Sequence, residues 1–148
     1  MGYRIAESTG KGDKAKLLKA HSALTLARTA GRLALSKKGF DVRILKLKSL
    51  SSVCDYFVIA SGDAGVHVKA IADAIEEGLK KTGVSPFHME GRTEGNWILL
   101  DYIDVVVHVF HEPTRRYYSL EKLWGDAPSE ELQDTDYPSG QDAIRPQA

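Results

Sequence analysis

Residues 56–60 read Tyr-Phe-Val-Ile-Ala, a run without charge and without polar/apolar alternation. A β-strand of that composition is stable when both of its faces are covered, so it belongs inside a sheet with helices packed on it. The next residues fit a crossover. Ser61-Gly62-Asp63-Ala64-Gly65 is a turn, and Val66–Lys81 carries Val68, Ile71, Ala72, Ile75 and Leu79 at helical spacing, with Lys69, Asp73, Glu76 and Lys80 turned to water. Strand, turn, helix and strand in that order define an α/β arrangement.

The remaining pattern extends it. Ala15–Lys38 is a helix with Leu17, Ala20, Leu24, Ala27, Gly31 and Ala34 on one stripe, widened by Leu26 and Leu33 and stopped by Gly39. Val42–Leu47 is a strand, and Phe87–Glu90 a short one. Trp97–Tyr102 and Val105–Phe110 form a hairpin around Ile103-Asp104, where Ile103 is awkward because tight turns want positive φ. Pro113-Thr114 opens a last helix in which Tyr117, Leu120, Leu123 and Trp124 share a face. The expected domain is 15–126, α/β with a mixed sheet of about five strands, preceded by a flexible leader at 1–14. Residues 127–148 hold three prolines, one leucine, one isoleucine and five acids against one base, and are expected to be a disordered acidic tail that adds nothing to folding.

The chain of 148 residues has net charge zero, divided unevenly: Met1–Lys48 has 12 Lys/Arg against 3 Asp/Glu, and the rest has 8 against 17. The first third suits an acidic partner such as RNA or is a solvated helix face, and the acidic remainder suits a basic protein. A single cysteine, Cys54, excludes an internal disulfide framework and fits a reducing compartment. No apolar run reaches the ~18 residues that cross a bilayer, so the expected location is cytoplasmic.

Chemistry is harder to find. Gly62-x-x-Gly65 lacks the dinucleotide fingerprint and a P-loop lysine, which leaves a tight turn with Asp63 capping the following helix. Asp101 and Asp104 are three apart, where a metal clamp on one strand face needs a spacing of two. His108 and His111 fail in the same way, and His21, His67 and His88 lie on other elements. No metal, cofactor or catalytic residue is therefore assigned. An aromatic and acidic group remains in the last third: Trp97, Tyr102, Tyr117, Tyr118 and Trp124 with Glu90, Asp101, Asp104, Glu112 and Glu121. Such residues suit a flat contact with a basic protein, or else the rings fill the core.

Six ordered blocks carry a family resemblance: Asp55–Gly62, Ala70–Asp73, Glu90-Gly91, Trp97–Tyr102, Asp104–Phe110 and Arg116-x-Tyr118-x-Leu120-Glu121-x-Leu123-Trp124. Together they resemble the ribosomal silencing factor (Iojap) family from about Leu26 to Ala127. Lys46, Ala64, His67 and Ile103 depart from the family pattern. The resemblance implies a nucleotidyltransferase-like fold without a working active site, hence no enzyme activity, no small-molecule substrate and no membrane. It implies binding to the large ribosomal subunit through ribosomal protein fourteen, steric obstruction of small-subunit joining, and repression of translation under nutrient limitation. It also implies a homodimer when free. On that reading the partner-binding residues are Glu90, Trp97, Leu99, Asp101, Tyr102 and Asp104, with a peripheral ribosomal RNA contact through Arg28, Arg32 and Lys37. The alternatives are a metal-dependent nucleotidyltransferase using Asp101 and Asp104, and a large-subunit assembly factor.

Overall fold

A computed structural model describes residues 12–48 and 50–133. Helix α1 (Gly12–Ser36) leads into β1 (Phe40–Lys46) and β2 (Tyr56–Gly62); α2 (Gly65–Lys80) follows, then β3 (His88–Glu90), β4 (Trp97–Asp101) and β5 (Val105–His111). Two short helices, α3 (Glu112–Tyr118) and α4 (Leu120–Leu123), precede a last strand, β6 (Ser129–Leu132). The six strands form one open sheet in the order β3-β4-β5-β2-β1-β6. Only β2 and β5 pair in parallel; every other neighbouring pair is antiparallel. The Tyr56–Ala60 run lies in β2, one of the two central strands, as its composition requires.

Helices α1 and α2 cover one face. The α1 stripe is dominated by alanine, with Ala23, Ala27, Ala30 and Ala34 buried against Val42, Ile44, Val58 and Ala60. Short side chains bring this helix close to the sheet, and α2 adds Val68, Ile71, Ala72, Ile75 and Leu79 as expected. Leu24, Leu26 and Leu33 are only partly buried at its margin. A side chain at Gly78 would overlap the Leu33 methyls, so glycine there sets the spacing of the two helices.

Two sequence expectations are corrected at the ends. Helix α1 starts at Gly12 rather than Ala15, and the expected leader otherwise lies outside the described residues. The acidic tail does not begin at 127: Ser129–Leu132 pairs with β1 from Val42↔Leu132 to Leu45↔Ser129. Composition hid this strand because only one of its residues is apolar. Leu132 is buried, 6% exposed, and fits over Gly31, where a Cβ would overlap its Cδ1. Gly31 is thus a notch for β6. Arg28 completes the attachment, with Nε and Nη2 donating to the two carboxylate oxygens of Glu130 at 3.0 Å each. Arg28 is thereby engaged with Glu130, within this chain. Residues 134–148 lie outside the described residues.

The helix stop also differs. Lys38, not Gly39, takes the left-handed backbone (φ 63°), while a Cβ on Gly39 would press on the Ala34 carbonyl oxygen. Leu132→Ala should lower folding stability by about 2 kcal/mol in urea melts, since it empties a buried notch. An unchanged midpoint would show that β6 is not held on the sheet in solution.

Candidate interaction face

The second face of the sheet is the informative one. Alternation along β4 sends Ile98 and Leu100 toward the helices and Trp97, Leu99 and Asp101 to the other side. Register places Glu90 beside Leu99 and Leu99 beside His108, while His88 lies beside Asp101 and Asp101 beside Val106. A small core of Leu45, Leu47, Cys54, Ile59 and Phe110 occupies the β1–β2–β5 side of this face, covered by Leu120, Trp124 and Ala127. Toward β3 the cover ends: Leu99 and Asp101 are half-exposed, and Glu90 is exposed.

Arg115 holds the cover in place. It is 7% exposed, and its Nη1 donates to the Asp41 carbonyl at 2.7 Å and to Ser61 Oγ at 2.8 Å. Its Nε and Nη2 donate to Glu121 Oε2 at 2.8 and 2.6 Å. One side chain thereby ties α3 and α4 to β1 and β2. Asp41 has φ 50° at a break in the β1–β2 register between Phe40 and Arg43, and its carbonyl is one of the acceptors of Arg115. The last helix is not continuous: Ser119 is left-handed (φ 49°) and divides it. Consequently Leu120 and Trp124 pack inward while Tyr117 and Leu123 point to solvent, so the four do not share a face.

Trp97 joins both roles that sequence left open. Its ring lies 4.8 Å from Phe110 and 4.9 Å from Tyr118, and its Nε1 donates to His108 Nδ1 at 3.0 Å. The indole is half-buried, packed below and open above. Because Nδ1 accepts, the proton of neutral His108 sits on Nε2, which is buried and has no hydrogen-bond partner among the described residues. Phe57 stands edge-on to the imidazole at 4.5 Å. Burial drives the His108 pKa down to about 4.

Four of the six expected partner-binding residues, Glu90, Trp97, Leu99 and Asp101, share this face. Tyr102 does not. It is 1% exposed within the helix-side core, because the strand period puts it opposite Trp97 and Asp101. Burial holds its phenol well above the ordinary range. Asp104 lies in the β4–β5 turn, half-buried, and its carbonyl accepts the N–H groups of Asp55 and Tyr56 at 2.8 and 3.1 Å. Ile103 does take positive φ, 77°, as its turn demands, with Asp104 N–H donating to the Tyr102 carbonyl at 3.0 Å. Asp101 Oδ1 accepts the Ile103 N–H at 2.8 Å, so this carboxylate caps the β4–β5 turn.

The other candidate centres are structural. Asp63 does not cap α2 through its side chain. Its N–H donates to His67 Nδ1 at 3.0 Å, while His67 Nε2 donates to the Lys37 carbonyl at 2.8 Å, tying the α2 start to the end of α1. Cys54 is buried, and burial pushes its thiol up to about 11. Among the described residues no three His, Cys, Asp or Glu side chains converge on a possible metal position. Among the described residues, too, no helix is long and apolar enough to cross a membrane. Sequence reasoning missed Arg115 and Glu121 as organisers, since an Arg-Arg pair before two tyrosines looks like ordinary helix surface.

Known structures share this architecture. The X-ray structure of a protein from Chromobacterium violaceum superposes with a TM-score of 0.67 at 36% identity, over 69% of this chain and 85% of that one. A crystal structure from Bacillus halodurans gives a TM-score of 0.63 at 38% identity, over 76% of this chain and 99% of the other. The class is a single-domain α/β protein with an open mixed sheet, covered by long helices on one face and half-covered on the other. Residues 20–148 match the family described as "Ribosomal silencing factor during starvation". The ribosomal silencing factor RsfS of Bacillus subtilis (strain 168) is 42% identical over 108 residues, 73% of this chain and 92% of that protein. The chain belongs to the ribosomal silencing factor family.

Two measurements check this geometry. Arg115→Ala leaves Glu121 and Ser61 without their partner and should cost about 3 kcal/mol in urea melts; a change near zero would remove Arg115 as the anchor of α3 and α4. For His108 the unfolded chain binds a proton near pH 6.5 and the folded chain only near 4. Its contribution is therefore complete above about pH 6.5 and is lost as pH falls toward 4, about 2 kcal/mol between pH 7 and 5. His108→Gln, which keeps an acceptor for Trp97, should lack that loss; equal pH slopes for the two proteins would contradict a neutral buried imidazole.

Proposed function

We propose that the chain silences ribosomes by binding the large subunit through ribosomal protein fourteen, with the uncovered β3–β4 face as its contact. The carrying observation is the grouping of Trp97 and Leu99, half-exposed and apolar, with the carboxylates of Glu90 and Asp101 on one strand pair. Half-exposed aromatic and aliphatic groups supply anchor energy when water is excluded, and flanking acids favour a basic protein surface. The name shared by the family and the Bacillus subtilis relative supports the same direction. Occupying a surface that the small subunit needs represses translation sterically, so the mechanism requires no cofactor, turnover or catalytic residue. Lys37 and Lys38, exposed after α1, are the cations best placed for a peripheral contact with ribosomal RNA. The working location on this reading is the cytoplasm, with a homodimer as the free state.

Sedimentation with purified large subunits, using small subunits as the control, tests the face. Leu99→Lys should weaken binding by roughly 2 kcal/mol or more, about 30-fold, by removing an apolar contact and adding repulsion. Asp101→Asn keeps the acceptor for Ile103 and should weaken binding several-fold through charge alone. A folded Leu99→Lys protein that sediments with large subunits like the wild type would remove this face from the contact.

A further inference from the structure

Beside that face a cleft of about 430 Å³ opens between the Gly91–Asn96 loop and α3. Trp97, Tyr117, Tyr118 and Glu94 are its chemically distinctive lining residues. The three rings follow one another: Trp97 to Tyr118 at 4.9 Å, and Tyr118 to Tyr117 at 5.0 Å with an interplanar angle of 88°. Two tyrosine planes at right angles make a corner. Folding does not explain their position, since Tyr117 is 82% and Tyr118 52% exposed. The loop that forms the opposite wall is fixed by its backbone. Gly91 has φ 84°, a Cβ there would overlap the Trp97 carbonyl, and Gly95 N–H donates to the Gly91 carbonyl at 3.0 Å.

The charge in this cleft has one sign. Among the described residues Glu94 is the one carboxylate that lines it, and no lysine or arginine does. Of the nearby bases, Arg92 pairs with Asp73 and Arg116 with Glu112, and Lys69, whose Cε packs near Gly95, does not line the cleft. Among the described residues Glu94 itself has no ion pair. Aromatic faces are electron-rich and attract cations, and a carboxylate at the rim completes the field. An acidic side chain would be repelled here, and a neutral donor would gain a hydrogen bond from Glu94 without the added attraction of charge. A flat guanidinium on an apolar stem fits better than a compact ammonium, because it stacks on one ring while its N–H groups reach the carboxylate.

We infer that the cleft between the Gly91–Asn96 loop and α3 receives one basic side chain, arginine before lysine, from a protein partner. The chemistry follows from the cleft alone; that the partner is the basic ribosomal protein rests on the function proposed above. Glu94 supplies the charge, Tyr117 and Tyr118 the stacking corner, and Trp97 links the cleft to the β3–β4 face.

The test is a titration of the full isotope-labelled chain with N-acetyl-argininamide, followed by nuclear magnetic resonance at the Trp97 indole and at Glu94, Tyr117 and Tyr118. N-acetyl-lysinamide and the uncharged isostere N-acetyl-citrullinamide are the comparison probes. Saturable shifts with arginine are expected, at least threefold weaker binding with lysine, and weaker binding still with citrulline at equal concentration. Glu94→Gln and Tyr117→Leu, both at exposed positions, should each weaken arginine binding at least threefold while leaving the spectrum otherwise intact. Absent arginine shifts, or equal shifts with citrulline, overturn the assignment whether or not large subunits still bind. Sedimentation of the double variant separates the two ideas. Arginine capture by the wild type with undiminished sedimentation of the variant keeps the cleft's chemistry and overturns its place in the ribosome contact.

Discussion

Arg115 is the point on which the second face of the sheet depends. Four hydrogen bonds from one buried guanidinium join β1, β2, α3 and α4. Without it the two short helices have little to keep them down, because α4 contributes no fully buried residue of its own. Their position decides where cover stops. The Leu45–Phe110 core lies beneath them, Trp97 sits at their border, and Leu99 and Asp101 lie beyond. A polar network of this kind adds less to net stability than to a unique arrangement, and here the arrangement is what leaves an apolar strip open.

The opposite face is ordinary in its physics and strict in its spacing. Alanines on α1 and Gly78 on α2 let the two helices lie close to each other and to the sheet. Gly31 lets Leu132 in, so that β6 caps the outer edge of β1 with a strand carrying Glu130 and Glu131. A charged, short outer strand discourages pairing with further chains. With one face filled and that edge occupied, the uncovered end of the other face is the surface proposed above for partner contact.

Much of this was legible in the sequence, for physical reasons that differ by element. The Tyr56–Ala60 run and the α2 stripe announce themselves because burial on both faces, or on one helical stripe, leaves a periodic trace. The β6 strand leaves none: an edge strand with one buried leucine resembles a polar tail, and its partners Gly31 and Arg28 are about a hundred residues away. Tyr102 was misplaced by grouping it with Trp97 by chemistry, when the strand period alone assigns it to the other face. The Asp101 turn cap follows from its position before a tight turn. Arg115 and Glu94 have no local signature, since each acquires its role only when distant segments meet.

Hydroxyl-radical footprinting measures the face around Trp97, Leu99 and Tyr118 residue by residue. The chain is oxidised alone and with saturating large subunits. Modification of Trp97, Leu99 and Tyr118 should fall in the complex, while Val66, 78% exposed at the start of α2, keeps its reactivity. Protection at Val66 with unchanged reactivity at Trp97, Leu99 and Tyr118 would place the contact elsewhere on the molecule and contradict the proposed β3–β4 face.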